Sequence, residues 1–179
     1  MSETILALDM ATTCGWADNH GNSGVCRLQG KGKQSDGYKF RSFLMFLEHT
    51  RIECREFDRP IKFIAFEQVR RHMGVQAAHV YGGFLAVLQS FCDMHEVEYR
   101  GFSVQDIKIF ATDKGNASKD EMMAAARVKW PEVNIIDDNH ADALWLLETC
   151  LAFERGDPIG RVKKITKPRV KKALTAGLF

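Results

Sequence analysis

No stretch of this sequence is apolar for long enough to span a membrane. No basic leader precedes an apolar core at its start, where Glu3 is followed by only a short apolar run. The cysteines (Cys14, Cys26, Cys54, Cys92 and Cys150) are odd in number and scattered, without CxxC or Cys/His spacing. That pattern excludes a zinc site or a disulfide framework and reads as buried or free thiols in a reducing compartment. Internal repeats are lacking, and so is low-complexity sequence before the last twenty or so residues. Net charge is also small, at +2. The expectation is a soluble cytoplasmic protein with no membrane partner.

What is present is enough for one well-packed domain: 179 residues, 45% of them hydrophobic. The charge is unevenly placed. Arg161, Lys163, Lys164, Lys167, Arg169, Lys171 and Lys172 are seven cations with no acid among them, and setting those seven aside from +2 leaves −5 for the rest. A folded body over 1–156 and a flexible basic tail over 157–179 are expected. Such a tail would bind phosphates without regard to sequence.

Hydrophobic periodicity orders the body. Residues 4–9 read as a buried strand. Gly15 to Ala17 and Val25 to Leu28 read as two more, turned by "DNHGNSG" into an antiparallel meander. Residues 38–57 have helical spacing, "IKFIAFE" is a strand, 76–94 an apolar helix, and "VEYRGFSV" a strand. Ser118 with Glu121 fits a capping box opening a helix that stops before Trp130-Pro131. "VNII" reads as a short strand or extended entry, and "DDNHADALWLLETCLAFE" as a helix. This order predicts an α/β fold, a mixed five-stranded sheet flanked by helices.

Two strands end in acids, Asp9 and Glu67. Neighbouring parallel strands present functional groups at that edge. Asp138 and Asp142 stand one helical turn apart on one face of the last helix, with Asp137 and His140 off that face. Carboxylates so gathered raise one another's pKa unless a cation joins them. Hard divalent ions, Mg2+ above all, take such oxygens together with phosphate oxygens, and two of them can clamp the attacking and leaving oxygens of a phosphodiester. The bland alternatives remain open: a turn residue at Asp9 and a helix cap at Asp138.

The segments "ILALDMATTCGWA", "FIAFEQV", "GNASKDEM" and "NHADALWLL" resemble, in this order, the RuvC-type Holliday-junction resolvases of the ribonuclease H-like superfamily, especially the short phage forms. The resemblance covers about residues 4 to 153. It implies a homodimeric endonuclease that nicks opposing strands of a four-way junction, with two Mg2+ per active site and Mn2+ as a possible substitute. It also implies the cytoplasm of a bacterial host, if the chain is phage-encoded. The family's first, second and last catalytic acids fall on Asp9, Glu67 and Asp142. The remaining ligand falls at Asn139 by spacing, and its role is carried to Asp138 one residue earlier. Lys108 and Lys119, with Lys114 between, match positions where lysines support the scissile phosphate, and an ammonium there offsets charge on phosphorus. Arg70, Arg71 and His72 stand where bacterial members carry a junction-opening aromatic, and are expected to face phosphates.

The helix over 76–94, with Gly82-Gly83, reads either as plain core or as a dimer interface, since paired nicking needs two sites related by a two-fold axis. Three other functions stay open. One is a ribonuclease H or flap-type nuclease. Another is an actin-like ATPase or kinase, although neither its second glycine-rich loop nor its length is present. The last is a DNA-binding protein without activity.

Overall fold

The computed structural model describes residues 3–29, 35, 37–69 and 74–159. The expected contacts of Arg70, Arg71 and His72, and those of the basic tail, lie outside the described residues.

Strands β1 (Thr4–Asp9), β2 (Thr13–Asp18) and β3 (Ser23–Arg27) form the antiparallel meander. Helix α1 (Tyr38–Glu56) then crosses to β4 (Ile61–Gln68), and α2 (Val75–Met94) to β5 (Glu98–Ser103). Both later strands run parallel to β1, giving one five-stranded sheet in the order β3-β2-β1-β4-β5. Three further helices follow among the described residues: α3 (Val104–Thr112), α4 (Lys119–Lys129) and α5 (Asp138–Arg155).

The central strands are buried on both faces, but the faces differ in bulk. Leu6, Leu8, Ile64 and Phe66 pack with Phe43 and Leu47 of α1 and with Phe84, Leu88 and Phe91 of α2. Toward α5 the same sheet offers Ala7, Ala17 and Ala65. Small side chains there let α5 lie close against the strands, and ten of its residues are buried. α3 and α4 cover its far side through Ile107, Met122 and Ala126. Ile159 is buried in this same cluster, so the chain stays with the core past the expected boundary at 156.

Of the two readings of "VNII", the extended entry is the one found: it joins no strand of the sheet, and residues 134–136 lead into α5. Two expectations need correction. The sequence reading ends a strand at Val104 and assigns no element before Ser118, yet Ser103 caps a helix there by accepting from the Asp106 N–H at 3.1 Å. Gly83 is not a free contact surface, because a Cβ there would collide with the Phe40 ring of α1. The close approach it permits is between two helices of one chain. Gly82 faces open space.

Candidate active site

β1 and β4 are parallel neighbours with Ala7 opposite Ala65 and Leu8 opposite Phe66. Asp9 and Glu67 follow immediately on each strand. Side chains alternate along a strand, so both acids share the face of Ala7 and Ala65, which is the α5 face.

α5 brings the other two acids. Its N-cap is Asp137, whose carboxylate accepts from the His140 N–H at 3.0 Å, so Asp138 is the first helical residue rather than the cap. His140 is buried and faces away from the acids, as its position in the helix predicts. Its Nδ1 accepts from the Ile136 N–H at 3.2 Å. A neutral ring then carries its proton on Nε2, 2.9 Å from Ser23 Oγ on β3. Burial keeps its pKa below the usual value, favouring that neutral form. These bonds fasten the start of α5 to the meander.

The fit is tightest at Gly15. It lies opposite Asp9 on β2, and a Cβ added there would overlap the Asn139 carbonyl and come 3.1 Å from the His140 nitrogen. Only glycine lets the first turn of α5 reach the strand beside Asp9. Sequence patterning gave no signal for this role.

The acids are electrostatically coupled. Burial, reinforced by Glu67, Asp142 and Asp138, pushes the Asp9 carboxyl well above the ordinary range, with Lys119 opposing. Burial and Asp142 raise Glu67 to about 7, against Lys108. Burial and Asp138 raise Asp142 to about 6, against Lys119 and Lys108. Asp138 behaves oppositely: its hydrogen bond from Lys119 holds its carboxyl below the usual value.

The lysines separate into three situations. Lys119, at the first turn of α4, forms its ion pair with Asp138 and remains 78% exposed in its side chain. Ser118 fixes that turn through a complete capping box with Glu121. Lys108, on α3, donates to the Ala117 carbonyl at 2.7 Å and sits close enough to lower both Glu67 and Asp142. Lys114 pairs instead with Glu121 at 2.7 Å, out in solvent.

Among the described residues no three His, Cys, Asp or Glu side chains stand ready-made around a common ion position. The chemistry of the donor set still fits a hard divalent cation. All four candidates are oxygen donors, and three have their carboxyls pushed up by burial and by the neighbouring acids, a repulsion that a divalent cation would offset. Among the described residues no helix is long and apolar enough to cross a membrane.

No protein-family model and no curated protein matches the sequence. Solved structures do match the backbone. T. thermophilus RuvC in complex with a Holliday junction substrate gives a TM-score of 0.70 at 15% identity, over 86% of this chain and 95% of that one. A further Thermus thermophilus RuvC structure gives 0.62 at 17%, over 86% and 96%. The yeast mitochondrial Holliday junction resolvase gives 0.52 at 14%, over 82% and 76%. The chain has the α/β ribonuclease H-like fold that these proteins share.

Proposed function

We propose that this chain is a divalent-metal-dependent endonuclease that cuts branched DNA, four-way junctions foremost. One observation carries the reading: Asp9 and Glu67 end adjacent parallel strands, and Asp142 is brought to them on α5, with all three carboxyls pushed up in pKa. The backbone likeness to proteins that act on Holliday junctions supports the choice of substrate.

Asp9, Glu67 and Asp142 would hold Mg2+, with Asp138 joining once it leaves Lys119. Bound Mg2+ supplies Lewis acidity to the phosphoryl oxygens and lowers the pKa of an attacking water. The chain's own groups orient the substrate. Lys119, exposed at the mouth and paired with Asp138, places an ammonium where a phosphate would approach. Lys108, anchored on the Ala117 carbonyl, supplies a fixed positive charge behind the acids. Lys114 is assigned the weaker role of an outer phosphate contact, shared with Arg70, Arg71, His72 and the tail cations Lys163, Lys164, Lys167, Arg169, Lys171 and Lys172.

Two symmetric nicks require two copies. The helix over 76–94 is the proposed interface, through the open side of Gly82 rather than through Gly83. Analytical ultracentrifugation with and without junction DNA tests this, and a monomer under both conditions excludes it.

The deciding experiment incubates the protein with four-way, three-way, flap, RNA–DNA hybrid and plain duplex substrates, with Mg2+, with Mn2+ and with chelator. Metal-dependent paired nicks in the four-way junction are expected. Cleavage of the hybrid or the flap in preference would transfer the assignment to a ribonuclease H or flap-type enzyme.

A further inference from the structure

β4 extends beyond its partner on one side. Its pairing with β1 runs to Phe66, while its pairing with β5 continues to Gln68. β1 must stop at Asp9 if its end is to open into a site, and this leaves β4 past Phe66 with a strand on its β5 side only. In a parallel ladder one residue of the neighbouring strand donates its N–H to the carbonyl before its partner and accepts, on its own carbonyl, the N–H after it.

Tyr81, on α2, makes that same pair of bonds with one oxygen. Its hydroxyl donates to the Glu67 carbonyl at 3.1 Å and accepts from the Val69 N–H at 3.3 Å. The two backbone groups flank Gln68, as they would for a strand residue placed opposite it. Phe84, fully buried on the same helix, and Phe66 belong to one core cluster, with Tyr81 packed against it. The phenol is therefore held by a well-packed helix at the end of β4.

We propose that Tyr81 is a positioning residue for Glu67: its hydroxyl substitutes for the missing neighbouring strand and fixes the backbone from which the Glu67 carboxylate projects. The inference rests on the metal-site reading above. It assigns Tyr81 no contact with substrate or metal. It explains how a strand can carry an acid beyond the reach of the adjoining ladder without fraying at that acid.

Tyr81→Phe removes only the hydroxyl. Groups that orient metal ligands change metal affinity or activity by about 10–100-fold when lost. Mn2+ binding to DNA-free protein, followed by electron paramagnetic resonance, is expected to weaken about 10-fold in Tyr81→Phe. kcat on junction DNA should fall by a similar factor with KM unchanged. Cys92→Ala, buried further along the same helix, serves as the control for lost packing and should leave Mn2+ affinity as in wild type. Equal Mn2+ affinity in Tyr81→Phe and wild type overturns the inference alone, as does an equal loss in Cys92→Ala. Wild-type protein that binds no Mn2+ overturns the metal reading and this inference with it.

Discussion

Gly15 and Asn139 meet backbone to backbone, with no room for a Cβ between the strand and the first turn of the helix. The contact links Asp9, opposite Gly15 on β1, to Asp138 and Asp142, which flank Asn139 along the chain. A methyl group here must displace α5, and overpacking of this kind costs about 1–3 kcal/mol. Gly15→Ala is expected to lower the melting temperature by several degrees. It should also reduce cleavage by much more than junction binding, because displacement separates the acids. Cleavage at the wild-type rate would mean that α5 tolerates the shift and that its position is not critical.

Asp9→Asn should abolish cleavage and keep DNA binding, since phosphate contacts lie elsewhere. It should also make the metal-free protein more stable near pH 8, because it removes a charge that three neighbouring acids oppose. Thermal melts in chelator measure the second effect. Near-normal cleavage would remove Asp9 from the site.

The raised carboxyls set a pH dependence. Glu67 moves from 4.5 to about 7 and Asp142 from 3.8 to about 6 on folding. Between those values the folded chain holds protons that the unfolded chain has released, so stability falls as pH rises. The metal-free melting temperature should therefore drop as pH rises from about 4 to about 7, and the raised Asp9 carboxyl should carry the decline further. Glu67→Gln should flatten the decline. Saturating Mg2+ should reverse it, adding about 2.7 kcal/mol at a hundredfold excess over its Kd. Mg2+ affinity should itself rise with pH over this range, as protons leave the ligands. A metal-free stability that rises from pH 5 to 7 in wild type but not in Glu67→Gln would contradict the reading.

Lys119→Gln should leave junction binding nearly intact and slow cleavage, by about 100-fold if the ammonium stabilises charge on the phosphate. The ligand assignment on α5 follows from a paired comparison: Asp138→Ala should lower Mn2+ affinity and Asn139→Ala should not. The opposite result would transfer the role to Asn139.

The tail predicts a salt effect. Deleting 161–179 removes seven cations, and each lost phosphate contact should reduce the slope of log affinity against log salt by about 0.9 on duplex arms. The candidate catalytic residues precede position 150, so the shortened protein should still cut at low salt. Parallel slopes for the two proteins would exclude a role for the tail in binding.

The strands and their acids were readable because burial on both faces leaves a plain record: apolar runs that stop at a charge. The capping box at Ser118 and Glu121 was readable for a similar reason, as both halves lie within one turn. α3 was missed because Val104, Ile107 and Ile109 continue the β-rich character of "VEYRGFSV". Its signal was the Ser103 and Asp106 pair, a capping pattern hidden at the end of a strand. The Lys119–Asp138 ion pair joins residues on two helices, and no local periodicity reports such a meeting. Gly83 misled for another reason. Paired glycines in an apolar helix indicate close approach, but not of what, and here the neighbour is Phe40.

Asp9 and Glu67 follow directly on Leu8 and Phe66, which are paired across adjacent strands. Such strands lie about 4.8 Å apart because a peptide hydrogen bond has that reach, and the ions of two-metal sites stand at a comparable spacing of about 3.5–4 Å. The ladder therefore sets how far apart Asp9 and Glu67 leave the backbone, while the extra methylene of Glu67 sets how far each carboxylate reaches from it. The sheet thus fixes two anchor points, and side-chain length together with the helix laid over them is left to adjust what those anchors hold.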